Sequence, residues 1–230
     1  MTNETFLLRE QARALCFKSL SECYFLPSLE LLQHVRELEK HLAWLSDEAK
    51  RYASFMREEL ESLENLDSLK VDYARLFVGP YKLSAPPYGS VYLEGERKIM
   101  GMSTDAVRDA YREAGLDVAE DFHELPDHIA AELEFMYFLV CKELEKALAL
   151  DLQSTLAYIE RQTHFLASHL AAWVASFARD VETGAEGDFY KNLVRCTKVF
   201  VEENLKELDK LSSPHPRSSE DEELIVSFTP

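Results

Sequence analysis

Apolar residues recur every three or four positions along most of this chain, which is the spacing of one buried face of an α-helix. One such run is Leu31, Val35, Leu38, Leu42 and Leu45. Glycine weakens helices, and its scarcity here favours them: only 7 of the 230 residues are glycine and none precedes Gly79. No segment shows the alternation of a strand. The sequence therefore predicts an all-α fold, a helical bundle of about eight helices.

Two segments interrupt the helical spacing. Residues 79–101 hold four glycines and three prolines. They are too apolar for a free linker, so we expect a long ordered loop, and a loop longer than about 12–15 residues is more often functional than idle. Residues 116–126 are rich in acid and are predicted to be a hinge. Pro126 is expected at the first position of the following helix, with Asp127 in its first turn.

These interruptions define the predicted domain organisation. Residues 1–212 form a single all-helical domain, in which lobes 1–115 and 127–212 are joined by the hinge, and residues 213–230 form a flexible acidic tail. Two chains could exchange lobes in a homodimer. Ser28 and Ser46 are predicted to cap helices, Gly115 to end one, and one long helix to cover Leu156 to Phe177.

Composition excludes several functional classes. The longest apolar run, Phe135 to Cys141, is far shorter than the roughly 20 residues that cross a bilayer. The first residues lack a basic region followed by an apolar one, so we expect no signal peptide, no membrane insertion and a cytoplasmic location. A net charge of −17 repels nucleic acid and anionic lipid. The four cysteines form no Cys-x-x-Cys pair and are expected to be reduced, buried thiols.

Metal and nucleotide sites have little support. Neither G-x-x-x-x-G-K-[ST] nor G-x-G-x-x-G occurs, so no standard nucleotide site is indicated. His128 with Glu132, and Glu160 with His164, each place two ligands one helical turn apart. Because zinc sites usually need three or four protein ligands, we expect no metal and no cofactor.

A catalytic alternative stays open at this point. Ser90, Asp127 and His128 can be written as a nucleophilic set, although neighbouring residues on a helix point about 100° apart, so Asp127 would orient the His128 ring poorly. The alternative is a nucleotide-hydrolysing or other hydrolytic enzyme that uses Asp127 and His128, with Glu132 as a nearby acid.

Three motifs follow one another along the chain. They are Tyr73-x-Arg75-Leu76-Phe77-x-Gly79-Pro80, Pro87-Tyr88-x-Ser90-Val91-Tyr92, and Glu124-x-Pro126-Asp127-His128-Ile129 followed by Glu132-x-Glu134-Phe135-Met136. In order, spacing and helical context they resemble the TorD/DmsD family of cytoplasmic chaperones for molybdenum-containing redox enzymes. The resemblance covers roughly residues 5–210.

The resemblance implies binding rather than catalysis. Family members recognise the twin-arginine leader of a molybdenum-containing oxidoreductase precursor and hold that precursor during cofactor insertion, before export. The positions that match the peptide-binding region are Tyr88, Ser90, Tyr92, Pro126, Asp127 and His128. The motif positions expected to be structural are Tyr73, Arg75, Phe77, Gly79, Pro80, Pro87 and Glu132. Tyr88 is a departure, since many relatives place tryptophan there.

Elementary chemistry fits this expectation. An acidic host attracts a basic leader and raises the encounter rate. Asp127 could accept two hydrogen bonds from one guanidinium group, and Tyr88 and Tyr92 offer apolar surface to the middle of the leader. His128, near a helix start, should disfavour its cationic form. This interpretation requires the loop and the Pro126–His128 corner to share one cleft. A helical scaffold without leader specificity is a further alternative.

Overall fold

The computed structural model describes residues 3–79, 83–116 and 124–212, and their regular structure is helical. The α-helices are α1 (Asn3–Glu22), α2 (Leu31–Leu42), α3 (Asp47–Ser62), α4 (Asp67–Tyr73), α5 (Gly89–Leu93), α6 (Met102–Glu113), α7 (Ile129–Leu148), α8 (Leu152–Ser168), α9 (Leu170–Gly184) and α10 (Phe189–Ser212). A π-helical turn, Ala74–Val78, follows α4, and a 3₁₀ turn covers Gly95–Arg97. The all-α prediction is confirmed.

The predicted helix ends are partly right. The Ser46 hydroxyl accepts a hydrogen bond from the Ala49 amide at 3.1 Å and caps α3. Gly115 ends α6 in the left-handed conformation, with a φ of 78°. The Ser28 prediction is wrong, because α2 begins only at Leu31. The Ser28 hydroxyl accepts instead from the amide of Glu30 at 3.3 Å, within the turn that precedes the helix.

Two further boundaries differ from the prediction. The long helix over Leu156–Phe177 is interrupted at His169, whose φ of −124° and ψ of −98° are not helical, so α8 and α9 are separate. The helix predicted to start at Pro126 begins at Ile129. Pro126 and Asp127 lie in a turn that the His128 amide closes by donating to the Leu125 carbonyl at 3.0 Å.

Helices from both predicted lobes build one hydrophobic core. α1 runs antiparallel to α7, since the Ser21 hydroxyl donates to the Ala130 carbonyl while Arg13 contacts Glu143. α10 packs along α3, and the Phe17 ring of α1 meets Phe200 of α10 at 4.8 Å. The division into lobes and their exchange between chains stay predictions. Pro80, hinge residues 117–123 and the tail over 213–230 lie outside the described residues.

The thiols and the membrane prediction can be compared with the described helices. Cys16, Cys23 and Cys196 are buried and Cys141 is half-buried, and all four are free thiols. Burial raises the pKa of the Cys16 thiol well above its usual value, so it stays protonated. Among the described helices, none combines the length and apolarity needed to cross a membrane.

Candidate functional site

The loop and the Pro126–His128 corner lie side by side. Tyr88 and His128 form an isolated antiparallel bridge, and their ring centroids are 5.4 Å apart. The Gly89 amide donates to the Asp127 carbonyl at 2.8 Å, and the Ile129 amide donates to the Pro87 carbonyl at 2.9 Å. The two segments on which the binding hypothesis depends therefore meet through their backbones.

The Asp127 side chain holds the start of α5. Its Oδ2 accepts a hydrogen bond from the Ser90 amide at 2.8 Å, and the residue is fully buried. A carboxylate suits the amide groups at a helix start, because those groups lack partners within the helix. Asp127 thus caps a helix 37 residues earlier in the chain. Its carboxylate faces the interior, where it positions the loop.

His128 is the N-cap residue of α7. Its Nδ1 accepts a hydrogen bond from the Ala130 amide at 3.1 Å. Burial lowers the pKa of His128 to about 4, although the carboxylates of Glu124 and Asp127 favour the charged form. The imidazole is therefore neutral at neutral pH, as the sequence predicts. Burial is the main cause.

A second buried carboxyl group lies beneath α5. Glu132 Oε2 accepts from the indole Nε1 of Trp173 at 3.1 Å. Gly89 lies directly against this pair, because a Cβ added there would be 3.0 Å from the indole nitrogen and 3.2 Å from Glu132 Oε1. Burial raises the pKa of Glu132 well above its usual value, and the negative charge of Asp127 raises it further. Glu132 therefore keeps its proton far above the pH at which an exposed glutamate loses it.

The solvent-accessible part of the site is formed by two aromatic residues and one acidic residue. Tyr88 is half-buried, and its hydroxyl donates to Glu124 Oε2 at 2.6 Å. Glu124 is exposed. Tyr92 is half-buried and stacks on Trp173 with ring centroids 5.6 Å apart, while the Arg97 guanidinium lies 5.5 Å from the Tyr92 ring centre.

The remaining predicted binding residues are buried. Ser90 lies within α5, and the Pro126 carbonyl accepts from the Tyr111 hydroxyl at 2.8 Å. Sequence reasoning missed Trp173, because its position in the helical spacing is that of any core residue. Glu124 belonged to the matching motif but not to the predicted binding set. The only sequence feature that could have indicated a binding role for Glu124 is its position as an acidic residue two positions before Pro126.

The first motif lies around the π-helical turn. Phe77 is buried and packs on Tyr73, with ring centroids 5.4 Å apart. Arg75 donates to Asp72 Oδ1 at 2.5 Å. Gly79 has a φ of 78°, and its amide donates to the Ala74 carbonyl at 2.7 Å. These residues shape the turn from which the loop departs, and their structural role stays a prediction.

The geometry offers little to hydrolytic chemistry. A nucleophilic serine needs a hydrogen bond to its base, whereas the Ser90 hydroxyl is buried with no hydrogen-bond partner among the described residues. His128 uses Nδ1 as a helix cap, and Glu132 contacts Trp173. The described part of the chain holds no group of three or more metal-ligating side chains placed around one point.

Comparison with known proteins decides the family. The family described as nitrate reductase delta subunit matches residues 30–179, which is more than half of the chain. This chain belongs to the nitrate reductase delta subunit family. Its members include TorD-type chaperones, so the predicted resemblance is confirmed.

Curated relatives agree with the family. A chaperone protein TorD of Vibrio cholerae is 27% identical over 220 residues, covering 92% of this chain and 98% of that protein. A TorD of Shewanella loihica is 31% identical over 148 residues, covering 62% and 64%. The perchlorate reductase assembly chaperone protein of Dechloromonas aromatica is 26% identical over 160 residues, covering 68% and 70%. These relatives are named as chaperones, which is consistent with the prediction that this chain is not an enzyme.

Proposed function

We propose that this chain is a cytoplasmic chaperone that holds the precursor of a molybdenum-containing oxidoreductase during cofactor insertion, and that it grips the twin-arginine leader of that precursor. The names of the relatives, TorD and perchlorate reductase assembly chaperone, support the class of client. The observation that supports leader binding is the Tyr88–His128 bridge, which brings the loop and the corner to one surface.

Glu124 is the acceptor that we assign to an arginine of the leader. Its carboxylate is exposed and already accepts a hydrogen bond from the Tyr88 hydroxyl. A guanidinium group replaces that neutral donor with a charged, bidentate one, which gives a stronger hydrogen bond. The apolar middle of the leader then packs on the adjacent rings of Tyr88 and Tyr92, next to exposed Leu93.

The buried members of the predicted binding set act by positioning. Asp127 holds the amide of Ser90, and Pro126 and His128 form the turn that pairs with the loop. They fix where Tyr88 is presented. Direct contact between Asp127 and a leader arginine requires α5 to move away, since the carboxylate is covered in this conformation.

Calorimetric titration with a synthetic twin-arginine leader peptide tests this proposal. Glu124→Gln should weaken binding about 10-fold or more, because a charged hydrogen bond contributes about 1.5–3 kcal/mol. Tyr88→Ala should weaken binding to a similar extent, because it removes the ring on which the apolar middle of the leader packs. Glu58→Gln is the matched control, since Glu58 is an exposed acid of α3 on another part of the molecule, and it should bind like the natural chain. A second peptide, with both arginines replaced by glutamine, should bind far more weakly.

The outcomes separate the alternatives. Equal binding of the two peptides would favour a scaffold without leader specificity. Unchanged affinity for the leader peptide in both site variants would show that the loop and the Pro126–His128 corner do not take part in leader recognition. Steady hydrolysis of GTP or ATP by metal-supplemented protein would favour the enzyme alternative.

A further inference from the structure

Exposed leucines collect at one end of the helical bundle. They lie at the start of α1, the end of α7, the start of α8 and the end of α10. We call this set the leucine end; its members are Leu8, Leu148, Leu150, Leu152, Leu156 and Leu211. Single exposed apolar side chains are ordinary, whereas a contiguous apolar patch marks a surface that binds something.

Ion pairs show that these helix ends meet. α1 runs antiparallel to α7, and Arg13 pairs with Glu143, five residues before Leu148. One turn earlier in α1, Arg9 pairs with Glu207 near the end of α10. A three-residue turn joins α7 to α8. The leucine end is thus one surface, about 30 Å along α7 from the Tyr88–His128 bridge at 1.5 Å per residue.

Leu150 ends α7 in a backbone conformation that normally carries glycine. It follows α7 with a φ of 58°, and its side chain is 88% exposed. The amides of Leu150 and Asp151 donate to the carbonyls of Ala147 and Lys146, which is the Schellman pattern that normally carries glycine. α6 ends in the same pattern with Gly115. Leucine is strained in this backbone region, and here the strain is not offset by burial of its side chain.

We propose that the chain's own C-terminal segment, Leu224–Phe228, binds the leucine end. This segment reads Leu-Ile-Val-Ser-Phe. α10 ends at Ser212, directly after Leu211, so the remaining chain departs from this surface. Leu224 is twelve residues further on. Twelve residues span about 20 Å as a relaxed coil and about 40 Å when extended, which is enough to reach every part of the leucine end.

Mass action favours this occupant over another molecule. A tethered segment has an effective concentration in the millimolar range, so an intrinsic dissociation constant of about 1 mM is sufficient. A second copy would lose translational and rotational freedom on binding and would bring a second net charge of −17. The contact does not depend on leader binding, because the two surfaces lie at opposite ends of α7.

Photo-crosslinking in the full chain tests the contact. We place p-benzoylphenylalanine at Leu150 and map the crosslinked peptides by mass spectrometry. We expect crosslinks to residues 224–228 within one chain, at a yield that does not depend on protein concentration. The matched control places the probe at Leu29, which is 91% exposed in the turn before α2 and should not reach that segment.

Three outcomes would overturn the proposal. They are equal yields from Leu150 and Leu29, an absence of crosslinks to residues 224–228, and crosslinks between chains that increase with concentration.

A reciprocal experiment places the probe at Phe228 and changes the surface. Leu150→Gly combined with Leu152→Asp should lower the crosslink yield to the leucine end several-fold, and an unchanged yield would contradict the contact. Leu150→Gly alone should leave Tm unchanged or raised, because glycine adopts this φ without strain. A lowered Tm would show that Leu150 serves the fold instead.

Discussion

Glu132 is a buried acid whose protonation makes the stability of the folded chain depend on pH. It lies under α5, with Trp173 as its hydrogen-bond donor and Asp127 nearby. Burial raises the pKa of Glu132 well above its ordinary value of 4.5. Between that value and its raised pKa, the folded chain keeps a proton that the unfolded chain releases. The stability contributed by Glu132 is therefore full below about pH 4.5 and is lost as pH rises through this window.

Glu132→Gln should therefore stabilise the protein increasingly as pH rises. Glutamine keeps an oxygen for the Trp173 indole but has no proton to lose. The gain in the free energy of unfolding should grow by up to about 1.4 kcal/mol per pH unit between about pH 5 and the raised pKa. Urea unfolding of both proteins at about pH 5 and about pH 7.5 measures it.

The titration of His128 does not affect the comparison between the natural chain and Glu132→Gln. Burial lowers its pKa to about 4 from an ordinary 6.5, so its contribution to stability is full above 6.5 and is lost as pH falls towards 4. The natural chain and the variant share this loss, which cancels in their difference. A difference in stability that stays constant with pH would show that Glu132 releases its proton in the folded chain.

α5 is an element that cannot be stable alone, since five residues are far below the length at which isolated helices form. Three contacts hold it in place. Asp127 caps its start, Gly89 lies against Trp173, and Tyr92 stacks on the same indole ring. The conformation of the loop is therefore imposed by residues distant in the chain.

Gly89→Ala should displace α5. The added methyl group would meet the Trp173 indole nitrogen at 3.0 Å and Glu132 Oε1 at 3.2 Å, both within the packed interior. We expect a loss of about 1–3 kcal/mol in the free energy of unfolding, together with weaker leader binding. Gly95→Ala is the matched control, because its methyl group would meet nothing within 4 Å. Equal stability of the two variants would show that α5 does not depend on this close approach.

The elements differ in how far the sequence could predict them. The existence of helices such as α2 and α10 follows from apolar spacing alone, although the predicted start of α2 at Ser28 is wrong. The three motifs indicated where the loop and the corner lie. The split at His169 could not be predicted, because apolar spacing continues across it from Leu166 to Leu170. The Asp127 cap on α5 is a contact across 37 residues, and local patterns carry no signal for it.

At the scale of the whole molecule, a buried polar network joins helices from both sides of residues 117–123. Arg13 of α1 donates to Glu143 of α7 at 2.8 Å and to Gln162 of α8 at 2.7 Å. Burial raises the pKa of Glu143 even beside Arg13. Each polar group in this network therefore depends on the others for its partners.

Arg13→Ala should cost about 3–5 kcal/mol in the free energy of unfolding, because it leaves buried Glu143 without its ionic partner. Arg9→Ala removes the more exposed pair with Glu207 and should cost less than about 1 kcal/mol. Replacing Arg13, Glu143 and Gln162 together by apolar residues of similar size should recover much of the loss, because Gln162 loses both of its partners when only the ion pair is replaced. Chemical denaturation of the four proteins measures this, and equal effects of the two single changes would contradict the network.

The net charge of −17 acts on every approaching ligand, because the fields of many exposed acids add over distances of a Debye length. We expect the association rate of a twin-arginine leader peptide to fall at least several-fold between about 20 mM and about 500 mM salt, while the dissociation rate changes less. Stopped-flow fluorescence with a labelled peptide separates the two rates. A peptide with glutamine in place of every basic residue should lose this dependence. An association rate that is indifferent to salt would mean that the acidic surface does not attract the leader, and that the contacts at Tyr88 and Glu124 select it unaided.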